Sequence, residues 1–240
     1  MNYTFPIRGD GFGAQFQTII QSIVIIETAG DNYVHTPIVC MEHNYDKDPN
    51  FLSKVEELMN VKDYYFIKNN KPIEQIVFGS IIGRFEENID YYISSQSMTN
   101  LKLIFRNNKK NYYDNYINNI NVAVHIRRPN CYDNRIEGTD TPDSYYIDII
   151  NKIREKYKNS NKKPIFHIYS QGKECDFNSY INYDVIFHIN KDLFNTFTEL
   201  VYADILVMSA SSFSYSAALL SDGEIYYHNF WHKPSINWIV

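Results

Sequence analysis

Three short stretches of the chain combine residue types suited to gripping an anion. His125-Ile126-Arg127-Arg128 sets two guanidiniums side by side, and these rigid planar donors match phosphate oxygens. Ser209-Ala210-Ser211-Ser212-Phe213-Ser214 is a serine cluster opening an apolar run. Serine is a preferred N-cap, and a helix N-terminus offers its backbone N–H groups to anions. Gly9-Asp10-Gly11-Phe12-Gly13-Ala14-Gln15 is a glycine-rich turn in which backbone can approach a ligand closely. Its G-x-G-x-G spacing is not a dinucleotide fingerprint, and no Gly-Lys-Ser/Thr follows to make a P-loop. Taken singly, these stretches read as a solvated strand end, ordinary capping and a turn. Their coincidence at the ends of expected strands carries more weight than any one of them.

The elements that must position these residues alternate between strand and helix. Tyr3 to Ile7 reads as a strand, the glycine turn follows, and a helix begins near Ala14 with Phe16, Ile19, Ile20, Ile23 and Val24 on one face. Gly30-Asp31-Asn32 stops it, and Tyr33 to Val39 reads as the next strand. Phe51 to Met59 reads as a helix and Asp63 to Ile67 as a strand. Residues 73–120 allow mostly helix, interrupted at Gly83 and at Asn107-Asn108. From Val122 the pattern is sharper: strand to Ile126, helix Asp143 to Tyr157, strands Ile165 to Tyr169 and Val185 to Ile189. Helix Leu193 to Val201, strand Asp204 to Met208 and helix Ser211 to Leu220 follow. Such alternation predicts α/β architecture with parallel sheets covered on both faces, and ligands bind beyond the carboxyl ends of such strands.

With 240 residues the chain has room for one large domain or two small ones, and 44% apolar and 16% aromatic residues suffice for a core. A net charge of −5, from 23 Lys+Arg against 28 Asp+Glu, argues against a nucleic-acid binder. Cys40, Cys131 and Cys175 lack metal-ligand spacing, cannot all pair, and suggest a reducing compartment. No apolar run of bilayer length or signal-peptide type is visible, so a cytoplasmic location, in a bacterium or a virus-infected host, is expected.

The three stretches together resemble the fucosyltransferase superfamily: the α1,2- and α1,6-fucosyltransferases and the protein O-fucosyltransferases. The resemblance rests on Gly9-x-Gly11-x-Gly13-Ala14-Gln15, on His125-Ile126-Arg127-Arg128, and on Ala203-Asp204-Ile205-Leu206-Val207-Met208 running into the serine cluster. It implies a GT-B-like fold of two Rossmann-like parallel-sheet domains facing across a cleft. Here that would be residues 1–115 as the acceptor-side domain and 116–240 as the nucleotide-sugar-binding domain. It further implies an inverting, metal-independent glycosyltransferase that takes fucose or a related deoxyhexose from a GDP-sugar to a glycan or glycoprotein. Arg128 would hold the donor β-phosphate with Arg127 in support, and His125 would lie beside base or ribose. Ser211 and Ser212 would add phosphate contacts, while Gly11, Gly13 and Gln15 would line the cleft. No resident cofactor or metal is implied, and the oligomeric state is left open.

The chain departs from that pattern at Ala14, where many members have Asn, and at Asn130, where many have Asp. These departures keep two other readings in view: a catalytically weak nucleotide-sugar or glycan-binding module, and a GT-B enzyme using a UDP- or dTDP-sugar. An unrelated α/β nucleotide-binding enzyme is a further alternative. Asp10 is the best-placed carboxylate for a catalytic base, with Asp133 behind it. Asp46-Lys47-Asp48 matches a metal-binding D-x-D only in letters, because Pro49-Asn50 makes it a polar turn, and Lys54 spoils the same stretch as a calcium loop. His167 and His188, inside apolar strands, read as core histidines. The aromatic tail Tyr226 to His232 reads as core closure sooner than as a sugar platform.

Overall fold

A computed structural model describes residues 1–6, 8–44, 46–67, 71–128 and 141–240. Cys131 and the sequence candidates Asn130 and Asp133 lie outside the described residues. The chain divides into two compact units, Met1–Lys109 with His232–Ser235, and Lys110–Trp231 with Ile236–Val240.

In the first unit three short parallel strands, β1 (Asn2–Thr4), β2 (Asn32–Tyr33) and β3 (Ile73–Gln75), lie in the order β2-β1-β3. Helix α1 (Phe12–Thr28) connects β1 to β2. Its expected apolar face, Phe16, Ile19, Ile20, Ile23 and Val24, is fully buried. The polar residues between them are buried too. Thr18 and Ser22 meet this by donating to the carbonyls four residues back, Ala14 O at 2.9 Å and Thr18 O at 2.7 Å. Gly30 ends the helix at φ +79°, a left-handed backbone that suits glycine, with Asp31 N bonded to Ile26 O. Helices α2 (Phe51–Met59), α3 (Phe78–Glu87), α4 (Ile89–Ile93) and α5 (Gln96–Arg106) complete this unit.

Two of its expected strands come out differently. The strand expected from Tyr33 to Val39 ends at Tyr33, the second residue of β2. His35 is drawn aside by Glu56, whose carboxylate meets His35 Nε2 at 2.8 Å and Ile38 N at 2.7 Å. Residues 63–67 form a turn and an irregular stretch rather than a strand, because Tyr64 N and Tyr65 N both bond back to Val61 O. Helix α3 runs through Gly83, whose surroundings leave the helix ladder intact.

The second unit is a five-stranded sheet in the order β6-β5-β4-β7-β8, with every neighbour parallel. Its strands are β4 (Ile120–His125), β5 (Pro164–Ser170), β6 (Val185–Ile189), β7 (Ile205–Val207) and β8 (Glu224–Tyr226). Helices α6 (Asp143–Lys156), α7 (Leu193–Tyr202) and α8 (Ser212–Leu220) make the crossovers. Val122, Val124, Ile126, Phe166, Ile168, Ile205 and Val207 pack in one core with Tyr146, Ile149, Ile150 and Ile153 of α6. Emptying one such position, as in Ile150→Ala, costs about 2–5 kcal/mol in a packed core. At the amino end, Asp204 Oδ2 accepts from Asn121 N at 2.7 Å and ties β4 to the start of β7.

Chain order and spatial order part company in this sheet. From β4 the chain moves outward through β5 to β6, then returns to place β7 on the opposite side of β4. The order therefore reverses between β4 and β7, and adjacent connections leave the sheet on opposite faces. This is a topological switch point, where an open parallel sheet has a crevice at its carboxyl end.

Candidate functional site

The crevice between β4 and β7 is bridged by two buried side chains. His125, the last residue of β4, and Ser209, two residues past β7, place Nδ1 and Oγ 2.9 Å apart. The imidazole also rests against Phe213, centroid to centroid 5.3 Å, in the first turn of α8. Ser211 is the N-cap of α8, its hydroxyl accepting from Phe213 N at 3.2 Å. Ser214 turns back to Ser209 O. Ala210 N donates to Thr141 Oγ1 at 3.1 Å, joining the serine loop to the segment that leads into α6. The serine cluster thus caps α8 and shapes its approach, and the positive end of this nine-residue helix lies at the switch point. Ser212 opens its first turn and is half-buried.

Arg127 and Arg128 continue β4 into the same region. Arg127 Nη1 donates to Gln171 Oε1, 3.3 Å away in the turn after β5. Arg128 forms an ion pair with Asp143, the first residue of α6. Tyr180 Oη donates to the same carboxylate oxygen, Oδ1, at 2.7 Å. The guanidinium carbon of Arg128 lies 5.4 Å from the ring centre of Phe177. Burial pulls the basicity of Arg128 down, but the hydrogen bond and charge of Asp143 outweigh it and hold the group above its ordinary pKa. Beneath this pair Tyr146 is fully buried, with Thr141 and Ser209 as polar neighbours and no bond of good geometry to either. Burial raises its pKa first, so it stays a neutral donor.

The glycine turn of the first unit builds a separate structure around the N-terminus of α1. Gly11 is the N-cap and supplies no side chain. A Cβ there would lie 2.5 Å from His43 Nδ1, so glycine is what allows the imidazole to close on the helix start. Gln15 is buried, its amide nitrogen donating to Asp10 O at 2.7 Å and Cys40 O at 2.9 Å. It thereby fastens the turn to the 40–43 segment. Asp10 pairs with Arg8, and Gly13 is buried in the first turn of α1.

The candidates therefore fall into two sets. His125, Arg127, Arg128, Ser211 and Ser212 gather at one end of the second unit's sheet. Asp10, Gly11, Gly13 and Gln15 gather at the N-terminus of α1 in the first. Asp143, Tyr180, Phe177, Thr141 and Tyr146 join the first set without having been singled out from sequence. Asp143 carried one legible signal, an acid in the first turn of a helix. Tyr180 and Phe177 carried none, since they reach the site from a 3-10 stretch, Glu174–Tyr183, distant in sequence.

Other titratable groups have structural roles. Asp48, in the D-x-D, accepts from Lys54 Nζ at 2.7 Å and from Asn50 N at 2.8 Å, which makes it a turn residue. His167 and His188 bond to one another at 3.1 Å on the sheet face opposite α6. Burial, then the neighbouring charges, push each down to about 4, so both are neutral at pH 7. Beside them Tyr169 Oη donates to the buried Glu199, which Lys191 neutralises at 2.6 Å. Among the described residues no three His, Cys, Asp or Glu side chains come together as metal ligands, and no helix is long and apolar enough to cross a membrane.

No family model matches the chain, and no curated protein matches it in sequence. Among solved structures it is similar to a NodZ alpha-1,6-fucosyltransferase co-crystallised with GDP, with a TM-score of 0.45 at 10% identity, over 91% of this chain and 92% of that one. The fucosyltransferase NodZ from Bradyrhizobium gives a TM-score of 0.42 at 12% identity, covering 91% of this chain and 93% of that one. A mutant of Arabidopsis thaliana FUT1 in complex with GDP gives 0.41 at 12% identity, covering 99% of this chain and 72% of that one.

Proposed function

We propose that the chain is a glycosyltransferase that binds the diphosphate of a GDP-sugar at the β4/β7 switch point. It moves fucose or a related deoxyhexose to a hydroxyl of a glycan or glycoprotein. The observation that supports this reading most is the His125–Ser209 bridge. It fastens the two strand ends on either side of the crevice, with Arg128 beyond one and the N-terminus of α8 beyond the other. Two independent sources of positive potential thereby meet at one end of one sheet, where an open α/β sheet takes its ligand.

In the proposed reaction the bond between the sugar C1 and the β-phosphate oxygen breaks, and the pair of electrons stays on the GDP. An acceptor oxygen bonds to C1 from the opposite face, inverting it, and its proton passes to a carboxylate, to which we assign Asp10. Negative charge grows on the β-phosphate as the bond opens. Arg128, supported by Arg127 and by the dipole of α8, stabilises that charge as it develops, an effect largest when the donors are already in place. The arrangement calls for no metal ion to neutralise the leaving group. His125 lies beside base or ribose, Ser211 and Ser212 add phosphate contacts, and Gly11, Gly13 and Gln15 act on the acceptor side by shaping the turn that carries Asp10.

A thermal-shift titration with GDP, UDP, ADP and dTDP, with and without EDTA, tests this. A ligand at about 100 times its Kd adds about 2.7 kcal/mol of stability, which is plainly measurable. GDP-selective stabilisation that survives EDTA is expected. A UDP or dTDP preference would replace the donor, and no response to any nucleotide would refute the reading. The pairing of Asp10 with Arg8 favours, as second reading, a module that binds donor but turns it over weakly. GDP binding without hydrolysis or transfer of GDP-fucose would select it.

A further inference from the structure

Arg128 is bonded to a carboxylate that belongs to the protein itself, and the surroundings of that carboxylate give it an unusual freedom to let go. Asp143 has two supports besides the arginine. It is the first residue of α6, where the helix dipole favours a negative charge. Tyr180 Oη also donates to Oδ1, the oxygen that meets Arg128. Arg128 in turn has its guanidinium carbon over the Phe177 ring, 5.4 Å from its centre, a cation–π contact that holds it in place independently of the carboxylate. Both side chains of the pair are partly exposed, 20% for Arg128 and 30% for Asp143, so an incoming anion can reach them. Breaking a buried ion pair is costly because it strands a charge. Here neither charge is stranded, provided that another anion takes the arginine.

We propose that Asp143 is the resident counter-ion of the diphosphate site: it holds Arg128 while the site is empty and yields it to the phosphate of the arriving nucleotide. Tyr180 and the N-terminus of α6 then keep Asp143 charged and in position. When the sugar has left, Asp143 competes for Arg128 again and promotes release of the nucleoside diphosphate. The inference rests on the donor-site reading above and adds to it an exchange of partners at one arginine. Asp143 acts through Arg128 and is therefore a positioning residue.

The test is a thermodynamic cycle on GDP binding with the full chain. Kd is measured by calorimetry and the dissociation rate by stopped-flow displacement of a fluorescent GDP analogue. Asp143→Asn removes the competing charge and keeps the shape, so GDP should bind about 3- to 10-fold tighter, chiefly through slower release. Arg128→Ala should weaken GDP at least tenfold. In the Arg128→Ala background, Asp143→Asn should then change affinity less than twofold, because the contested group is gone. Tyr180→Phe, which leaves the fold's charges untouched, should weaken GDP two- to fivefold by withdrawing the carboxylate's remaining support.

Unchanged or weaker binding by Asp143→Asn, in a protein whose melting temperature is preserved, would overturn the exchange. So would an equal gain with and without Arg128, which would mean plain repulsion of the nucleotide. If Asp143→Asn does not fold, unaltered binding by Tyr180→Phe overturns it instead. Failure of the unmodified protein to bind GDP would have a different meaning: the donor site itself would fall, and the exchange with it.

Discussion

Ser209→Ala is the sharpest probe of the switch point, because it deletes one oxygen and leaves the backbone intact. Ser209 is fully enclosed and His125 nearly so, at 7% exposure, so water cannot replace the lost hydroxyl. The imidazole nitrogen that meets Ser209 Oγ at 2.9 Å is left without that partner inside the crevice. An orphaned buried polar atom costs about 1–3 kcal/mol, and the lost net bond falls within that range. In a domain of 150–250 residues each kcal/mol moves the melting temperature about 2–4 °C, which predicts a fall of about 2–12 °C. Urea unfolding of Ser209→Ala, His125→Leu and the double variant, in phosphate-free buffer, measures it. Removing both partners leaves no orphan, so the double variant should be more stable than the sum of the single losses by about 1–2 kcal/mol. Strict additivity, or a loss below about 0.5 kcal/mol for Ser209→Ala, would show that the hydroxyl does not bridge the strands, and the argument for a built crevice would fail.

Two further outcomes are expected of the same structure. His167 and His188 are held neutral in the fold, each with its pKa near 4, while in the unfolded chain they protonate near the ordinary 6.5. Between those values the unfolded state binds more protons, so stability should fall as pH drops from 6.5 toward about 4. His188→Leu should show a shallower loss than the unmodified protein in paired urea titrations at pH 7 and pH 4.5; parallel losses would refute the assignment. The groups facing this pair are Tyr112, Tyr113, Tyr116, Tyr169 and Lys191. At the other loop, Gly11→Ala drives a methyl into His43, and thermal melting should drop by a few degrees. His43→Ala in the same chain should restore most of the loss, whereas no rescue would locate the strain in the backbone.

The strands that carry chemistry were legible because their residues obey a short-range rule. Val122 to Ile126, Ile165 to Tyr169 and Val185 to Ile189 are apolar runs of strand length, each broken by one histidine, the pattern of a covered parallel sheet; the last of them is the half-buried edge strand. They appear as β4 and β5, with boundaries moved by a residue or two, and as β6 with its boundaries unchanged. The helices of the second unit were equally plain from their period, and the serine cluster declared itself as a capping segment by type and place, though only the structure makes Ser211 the N-cap. Legibility failed where long-range bonds override local preference. Glu56 takes the backbone of Ile38 and the ring of His35, so a β-rich segment is left mostly as loop. Strand β8 is three residues long, and its pairing with β7 and a bridge to Ile239 make it one.

For the candidate site, sequence alone determined which residues could hold an anion: two arginines at a strand end, serines at a helix start and glycines at a turn. Those choices are chemical and local, and they can be read from residue type and spacing. Tertiary structure decided which of them meet and in what company. The reversal of strand order brought His125 to Ser209 across 84 positions of sequence. The return of residues 174–183 brought Phe177 and Tyr180 to Arg128 and its carboxylate. Neither juxtaposition has a local cause, because each depends on which side of β4 the chain chose to come back, and that choice is made by burial of whole faces rather than by any single residue.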